Sequence, residues 1–131
     1  MGKLIRGLSE NGGIVFCGVD STDIVCKAEQ LHTTSATCSA ALGRLLTGAA
    51  MMGSMLKDDR DTVTLRVSGN GPAGVLIACT GGTGNVKGCI DNPLVELPLK
   101  ENGHLDVGGA VGRDGVMTCL LYTSPSPRDR S

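Results

Sequence analysis

Three sets of residues in this 131-residue chain carry the atom types that chemistry needs. In VSGNGPAGVLIAC, residues 67–79, Gly69, Gly71 and Gly74 fall at G-x-G-x-x-G spacing, which dinucleotide-binding loops use to bring backbone amides up to a pyrophosphate. In KDDRD, residues 57–61, Asp58, Asp59 and Asp61 crowd three carboxylates together, as an acid–base pair or a magnesium site would require. Six cysteines, Cys17, Cys26, Cys38, Cys79, Cys89 and Cys119, together with His32 and His104, are the available soft metal ligands.

Each set has to be judged by the elements that would hold it. A dinucleotide loop opens into a helix whose N-terminus faces the phosphate. Here TVTLRVS before the loop alternates apolar and polar residues, which predicts a half-buried strand over 62–68. After it, Pro72 leads into GVLIAC, then the turn cluster TGGTGN, then the short extended segment VKGCID. Strand, glycine turn, strand, glycine turn, strand is an antiparallel meander, and its glycines are expected to serve turns rather than a phosphate. The KDDRD carboxylates have no further Asp, Glu or His in a recognisable pattern around them, so a solvated loop is expected. No two cysteines form C-x-x-C, and with the histidines they give no zinc-finger spacing. There is no G-x-S-x-G, H-E-x-x-H or P-loop. No catalytic, cofactor-binding or metal-binding residue is therefore assigned, and no enzyme activity is expected.

The rest of the chain predicts helices around that meander. GGIVFCGVD, residues 12–20, reads as a buried strand. STDIVCKAEQLH follows as a short helix capped by Ser21 or Thr22. SATCSAALGRLLTGAAMMGSML, residues 35–56, places Leu42, Leu45, Leu46, Ala49, Met52 and Leu56 at helical spacing. Its opposite face is also weakly polar, and its length suits a membrane span. Arg44 near the middle would cost at least about 2.5 kcal/mol in a bilayer, so a buried core helix is predicted instead. Gly43, Gly48 and Gly53 should let other elements approach it closely. Asp114-Gly115 reads as a hairpin turn between residues 110–111 and 116–117. The fold class is thus α+β, an antiparallel meander packed with a buried apolar helix.

Composition narrows the partners. Phe16 and Tyr122 are the only aromatic residues, and single-stranded nucleic-acid binding relies on aromatic platforms. A net charge of −1 gives no electrostatic reason to expect nucleic acid or an anionic membrane. MGKLIRG lacks the apolar stretch of a secretory signal, and reduced thiols in the cytoplasm are expected. Cys17, Cys38 and Cys79, in apolar segments, should be the most buried thiols.

MGKLIRGLSENGGIVF, VDSTDIV, TSATCSAALGRLLTGAAMMGSMLK, GNGPAG, GNVKGCIDNP and LPLKENGHLDVGGAVGRDG occur in that order. Together, from Met1 to about Thr118, they closely resemble the N-terminal domain of the 33 kDa chaperonin family, the redox-regulated heat-shock holdases. The resemblance implies a cytoplasmic, ATP-independent chaperone that binds unfolded or oxidatively damaged client proteins, with an α+β N-terminal domain contributing client-binding surface. It also implies, in the full-length parent, a linker and a C-terminal module with C-x-C and C-x-x-C cysteines that hold zinc when reduced. None of the six cysteines here maps onto those ligands, so no zinc is expected in this chain and its client-binding residues stay unassigned.

From Cys119 the sequence CLLYTSPSPRDRS opens with eleven residues, CLLYTSPSPRD, that read as an in-frame translation of a transposase adapter. Residues 1–118 are therefore expected to be an incomplete N-terminal chaperone domain and residues 119–131 an adapter-derived tail. Marginal stability, exposed apolar surface and self-association through a poorly covered strand near 111–118 should follow. Two other readings compete: a nucleotide-binding enzyme using the Gly69–Gly74 loop, and an inert fragment.

Overall fold

A computed structural model describes residues 3–82 and 85–123. The elements run β1 (Lys3–Leu8), β2 (Val15–Asp20), α1 (Thr22–His32), α2 (Ala36–Gly53), β3 (Thr62–Ser68), β4 (Val75–Gly81), β5 (Val86–Ile90), α3 (Val107–Val111) and β6 (Val116–Tyr122). They form two antiparallel sheets: a two-stranded ribbon, β1-β2, and a four-stranded sheet in the order β5-β4-β3-β6. The fold is α+β, and the expected meander is β3-β4-β5.

Strand alternation sets the core. Val63 and Leu65 of β3 share a face with Leu76, Ala78 and Thr80 of β4, and all five are buried beneath α2. The helix answers with Cys38, Leu42, Leu45, Leu46 and Ala49. Ser35 starts it as N-cap, its hydroxyl accepting from the Cys38 amide at 3.3 Å. The helix is covered on several sides, by β4 and β5, by α1 and by α3. Its small residues permit this at two of the three expected positions. A Cβ on Gly43 would lie 2.9 Å from Val25 of α1, and one on Gly53 would lie 2.7 Å from Thr80, whereas Gly48 faces open space. Arg44 is exposed. Among the described residues no helix is long and apolar enough to cross a membrane.

Two expectations need correction. Residues 110–111 are not a hairpin strand but the end of α3. The Asp106 carboxylate accepts from the Gly109 amide at 3.0 Å and starts that turn of helix. Strand β6 then pairs with β3, from Val116 opposite Ser68 to Tyr122 opposite Thr62. The 12–20 segment begins as strand only at Val15, and it is not buried. It belongs to the separate ribbon, whose other strand, β1, the apolar spacing did not announce. The ladder of β6 runs on through residues 119–122, while the remainder of the expected tail, residues 124–131, lies outside the described residues.

Candidate functional site

The glycine loop is a packing joint. The amide of Gly71 donates to the Val111 carbonyl at 3.0 Å, and that of Ala73 donates to Ala110 at 2.9 Å. A Cβ on Gly69 would stand 2.4 Å from the Val111 oxygen, and one on Gly71 would stand 2.4 Å from the Ala110 oxygen. Gly74, at φ +76°, turns the chain into β4 rather than into a helix. Two amides that a phosphate would need are thus engaged by the end of α3.

The acidic cluster is a loop with one local pair. The Arg60 guanidinium donates to Asp58 at 3.1 and 3.3 Å, and the Arg60 amide donates to the same carboxylate at 2.9 Å. The side-chain bond first, then the amide bond, holds the Asp58 carboxyl below its usual range. Asp59 is exposed, whereas Asp61 is buried, with its carbonyl accepting from the Gly82 amide at 3.1 Å.

The thiols are dispersed. Cys38 is fully buried, Cys17 and Cys79 are half-buried, and Cys26, Cys89 and Cys119 are exposed, which is the expected ranking. Cys38 donates to the Asn92 carbonyl at 3.3 Å, Cys79 accepts from the Thr64 hydroxyl at 3.5 Å, and Cys17 lies 3.9 Å from the Ser54 hydroxyl. Among the described residues no three His, Cys, Asp or Glu side chains stand together as a metal site would need. His104 lies exposed in a turn, its amide held by Asn102.

What the structure does assemble is apolar surface, and the sequence assigned no residue to it. The ribbon meets the body at the C-terminal end of α2, where Arg6 donates to the Ser54 carbonyl at 3.0 Å and Cys17 lies 3.9 Å from the Ser54 hydroxyl. Its turn is closed by Asn11, which accepts from the Ser9 hydroxyl and the Gly13 amide. Opposite residues in the ladder share a face. Arg6 and Cys17 are opposite and turn toward Ser54; Ile5 and Phe16 lie on the other face. The Phe16 ring lies over Gly7, so that a Cβ there would have to displace the ring. Ile5, Leu8, Ile14, Val15 and Phe16 are 58–70% exposed, so the outer part of the ribbon is apolar on both faces. Strand β6 adds Val116, Met117, Leu120 and Leu121, also largely exposed, on a sheet edge with no described strand beyond it.

The sequence profile of the Hsp33 protein family matches residues 2–129. The chain belongs to the Hsp33 family. It is 45% identical over 118 residues to the 33 kDa chaperonin of Clostridium tetani, covering 90% of this chain and 40% of that protein. It is 43% identical over 117 residues to the 33 kDa chaperonin of a Thermoanaerobacter species, with 89% and 40% covered. The crystal structure of the 33 kDa chaperonin, heat shock protein 33 homolog, of Thermotoga maritima superposes with a TM-score of 0.86 at 33% identity, covering 93% of this chain and 41% of that one. The chain thus spans about 40% of the length of these Hsp33 relatives.

Proposed function

We propose that this chain supplies a client-binding surface of an Hsp33-type chaperone, one that holds unfolding proteins in the cytoplasm without ATP and without catalysis. The ribbon carries the reading. Its contiguous exposed residues, Ile5, Leu8, Ile14, Val15 and Phe16, are the kind of patch that marks an interaction site on a folded domain. An unfolding client exposes the same chemistry, and burial between the two surfaces contributes about 25 cal/mol per Å². The ribbon stands apart from the main core, so covering it asks for no rearrangement of α2 or the four-stranded sheet.

Capture by this chain is independent of oxidation, because its dispersed thiols offer no two-state metal switch. Zinc and redox control belong, on this reading, to the part of the full-length protein beyond the span matched here. Client capture is assigned to the ribbon and not to residues 119–131, of which 119–122 extend β6, whose open edge promotes self-association.

The test follows light scattering of a thermally unfolding client with the chain reduced, then treated with peroxide, in the wild type and in Ile5→Ser/Phe16→Ser. Protection should be weak, indifferent to peroxide, and mostly lost in the double variant. Undiminished protection by the variant, or strong reversible activation by peroxide, defeats the proposal. A nucleotide-using enzyme at Gly69–Gly74 would instead show micromolar binding of NAD, FAD or ATP by calorimetry.

A further inference from the structure

A second surface lies beside α2, between α1 and β5. The groove there has a volume of about 680 Å³, within the range of ligand-binding clefts. Its floor is apolar, made by Ile24 and Ala28 of α1, Leu46 of α2 and Val86 of β5. Lys27 stands on one wall and Lys87 on the other, with His32 at the end of α1. Among the described residues none of these three side chains makes a hydrogen bond or an ion pair. The one carboxylate lining the groove is Asp23.

The β5 wall is also a sheet edge with open backbone groups. The Asp91 amide donates to the Val75 carbonyl at 3.1 Å. Continuing that ladder makes Cys89–Ile77 and Lys87–Cys79 the hydrogen-bonded pairs. The N–H and C=O groups of Val86, Gly88 and Ile90 therefore point away from β4. Among the described residues they form no hydrogen bond to any other element. Two of these three residues, Val86 and Gly88, line the groove.

We infer that the α1–β5 groove binds an extended peptide segment rich in acidic and aliphatic residues, adding it as a strand to the edge of β5. Strand addition explains the open backbone row, because a docked peptide supplies the missing donors and acceptors. Alternation along the peptide would set aliphatic side chains on the floor and carboxylates toward Lys27 and Lys87. Gly88 lies close under α2, where a Cβ would stand 2.7 Å from the Leu46 side chain, so this stretch of β5 is held against the floor of the groove. The site lies apart from the ribbon, and the inference does not rest on the chaperone reading.

The experiment uses the whole chain and a short fluorescein-labelled peptide of alternating glutamate and valine, long enough to span Val86 to Ile90. Anisotropy should show saturable binding that weakens about tenfold in Lys27→Glu/Lys87→Glu, since each favourable pair becomes a like-charge contact. Hydrogen exchange at the Val86 and Gly88 amides should slow in the complex. The same peptide N-methylated at alternate residues should lose most of its binding. Equal binding of a lysine-for-glutamate peptide, indifference to N-methylation, or unchanged affinity of the double variant overturns the inference. The two peptide comparisons need no altered protein, so they decide the matter even where the variant does not fold. Loss of peptide binding with client protection intact would count against this site alone, and the converse against the ribbon alone.

Discussion

Gly71→Ala separates a packing joint from a phosphate cradle. The new Cβ would sit 2.4 Å from the Ala110 oxygen, 2.5 Å from the Gly112 nitrogen and 2.5 Å from the Val111 carbonyl carbon. All three are backbone atoms, so no rotamer change relieves the clash. Reaching ordinary contact, from 3.4 Å upward, requires the loop and α3 to part by about 1 Å. That displacement takes the Gly71–Val111 and Ala73–Ala110 hydrogen bonds, now 3.0 and 2.9 Å, out of range. Two hydrogen bonds at about 1 kcal/mol each, with about 1–3 kcal/mol of overpacking, give a loss of about 3–5 kcal/mol. That is a large share of a small domain's stability of about 5–15 kcal/mol. At a slope of about 2 kcal/mol per molar urea, the unfolding midpoint should fall by about 2 M. Gly12→Ala is the control. Gly12 has φ +73° with nothing within 4 Å of its would-be Cβ, so only backbone strain of about 1–2 kcal/mol applies. A cradle predicts the reverse pattern, with stability nearly unchanged and nucleotide binding lost. Equal midpoints for the two variants, or a wild-type midpoint raised by NAD or ATP, would refute the packing account.

Leu42→Ala, at the centre of the α2 face, should cost about 2–5 kcal/mol, read from the same urea titration, because Leu42 is almost fully buried in the core cluster. A thiol reagent should label Cys26, Cys89 and Cys119 in the folded chain and reach Cys38 only after denaturant is added, as mass spectrometry of quenched samples would show. In an NMR pH titration, Asp58 should titrate below the ordinary value of about 3.9, and Arg60→Ala should bring it back up. A folded-state pKa below the unfolded one means the contribution to stability is present above the unfolded value and is lost as pH falls through the folded one. Asp20, held down first by the Thr22 hydroxyl and then by the Thr22 amide, should behave in the same way, with Thr22→Ala as its release.

The four-stranded body was legible because its signals are local and mutually consistent. TVTLRVS alternates, the glycine turns bound three short strands, and one long apolar helix can lie across them. Gly69–Gly74 was readable as a turn because β-rich residues follow it. The partner of that turn was not readable, since it depends on α3, nearly forty positions away. The same distance explains the error at 110–111. DVGGAVG has weak intrinsic preference, and the Asp106 cap together with the Gly71 and Ala73 amides decides for helix.

The ribbon was misread for a different reason, one that bears on function. IVFCGVD has the composition of a buried strand, and a pattern of apolar residues reports what could be covered, not what is. In the structure the ribbon meets the body mainly at its Arg6–Ser54 end and leaves Ile5, Leu8, Ile14, Val15 and Phe16 exposed. An isolated two-stranded ribbon is at best marginally stable in water, so this one depends on whatever completes its cover. A further segment of a longer chain, a second copy or a captured client would each satisfy the same surface. These occupants compete, and the competition gives a sharp expectation. If the ribbon is the client site, increasing self-association at high concentration should reduce protection per molecule, and Ile5→Ser/Phe16→Ser should weaken both together. Sedimentation velocity across a concentration series, run beside the scattering assay, measures both quantities. Self-association that persists in the variant while protection is lost would place the copy–copy contact elsewhere, with the open edge of β6 the next surface to alter.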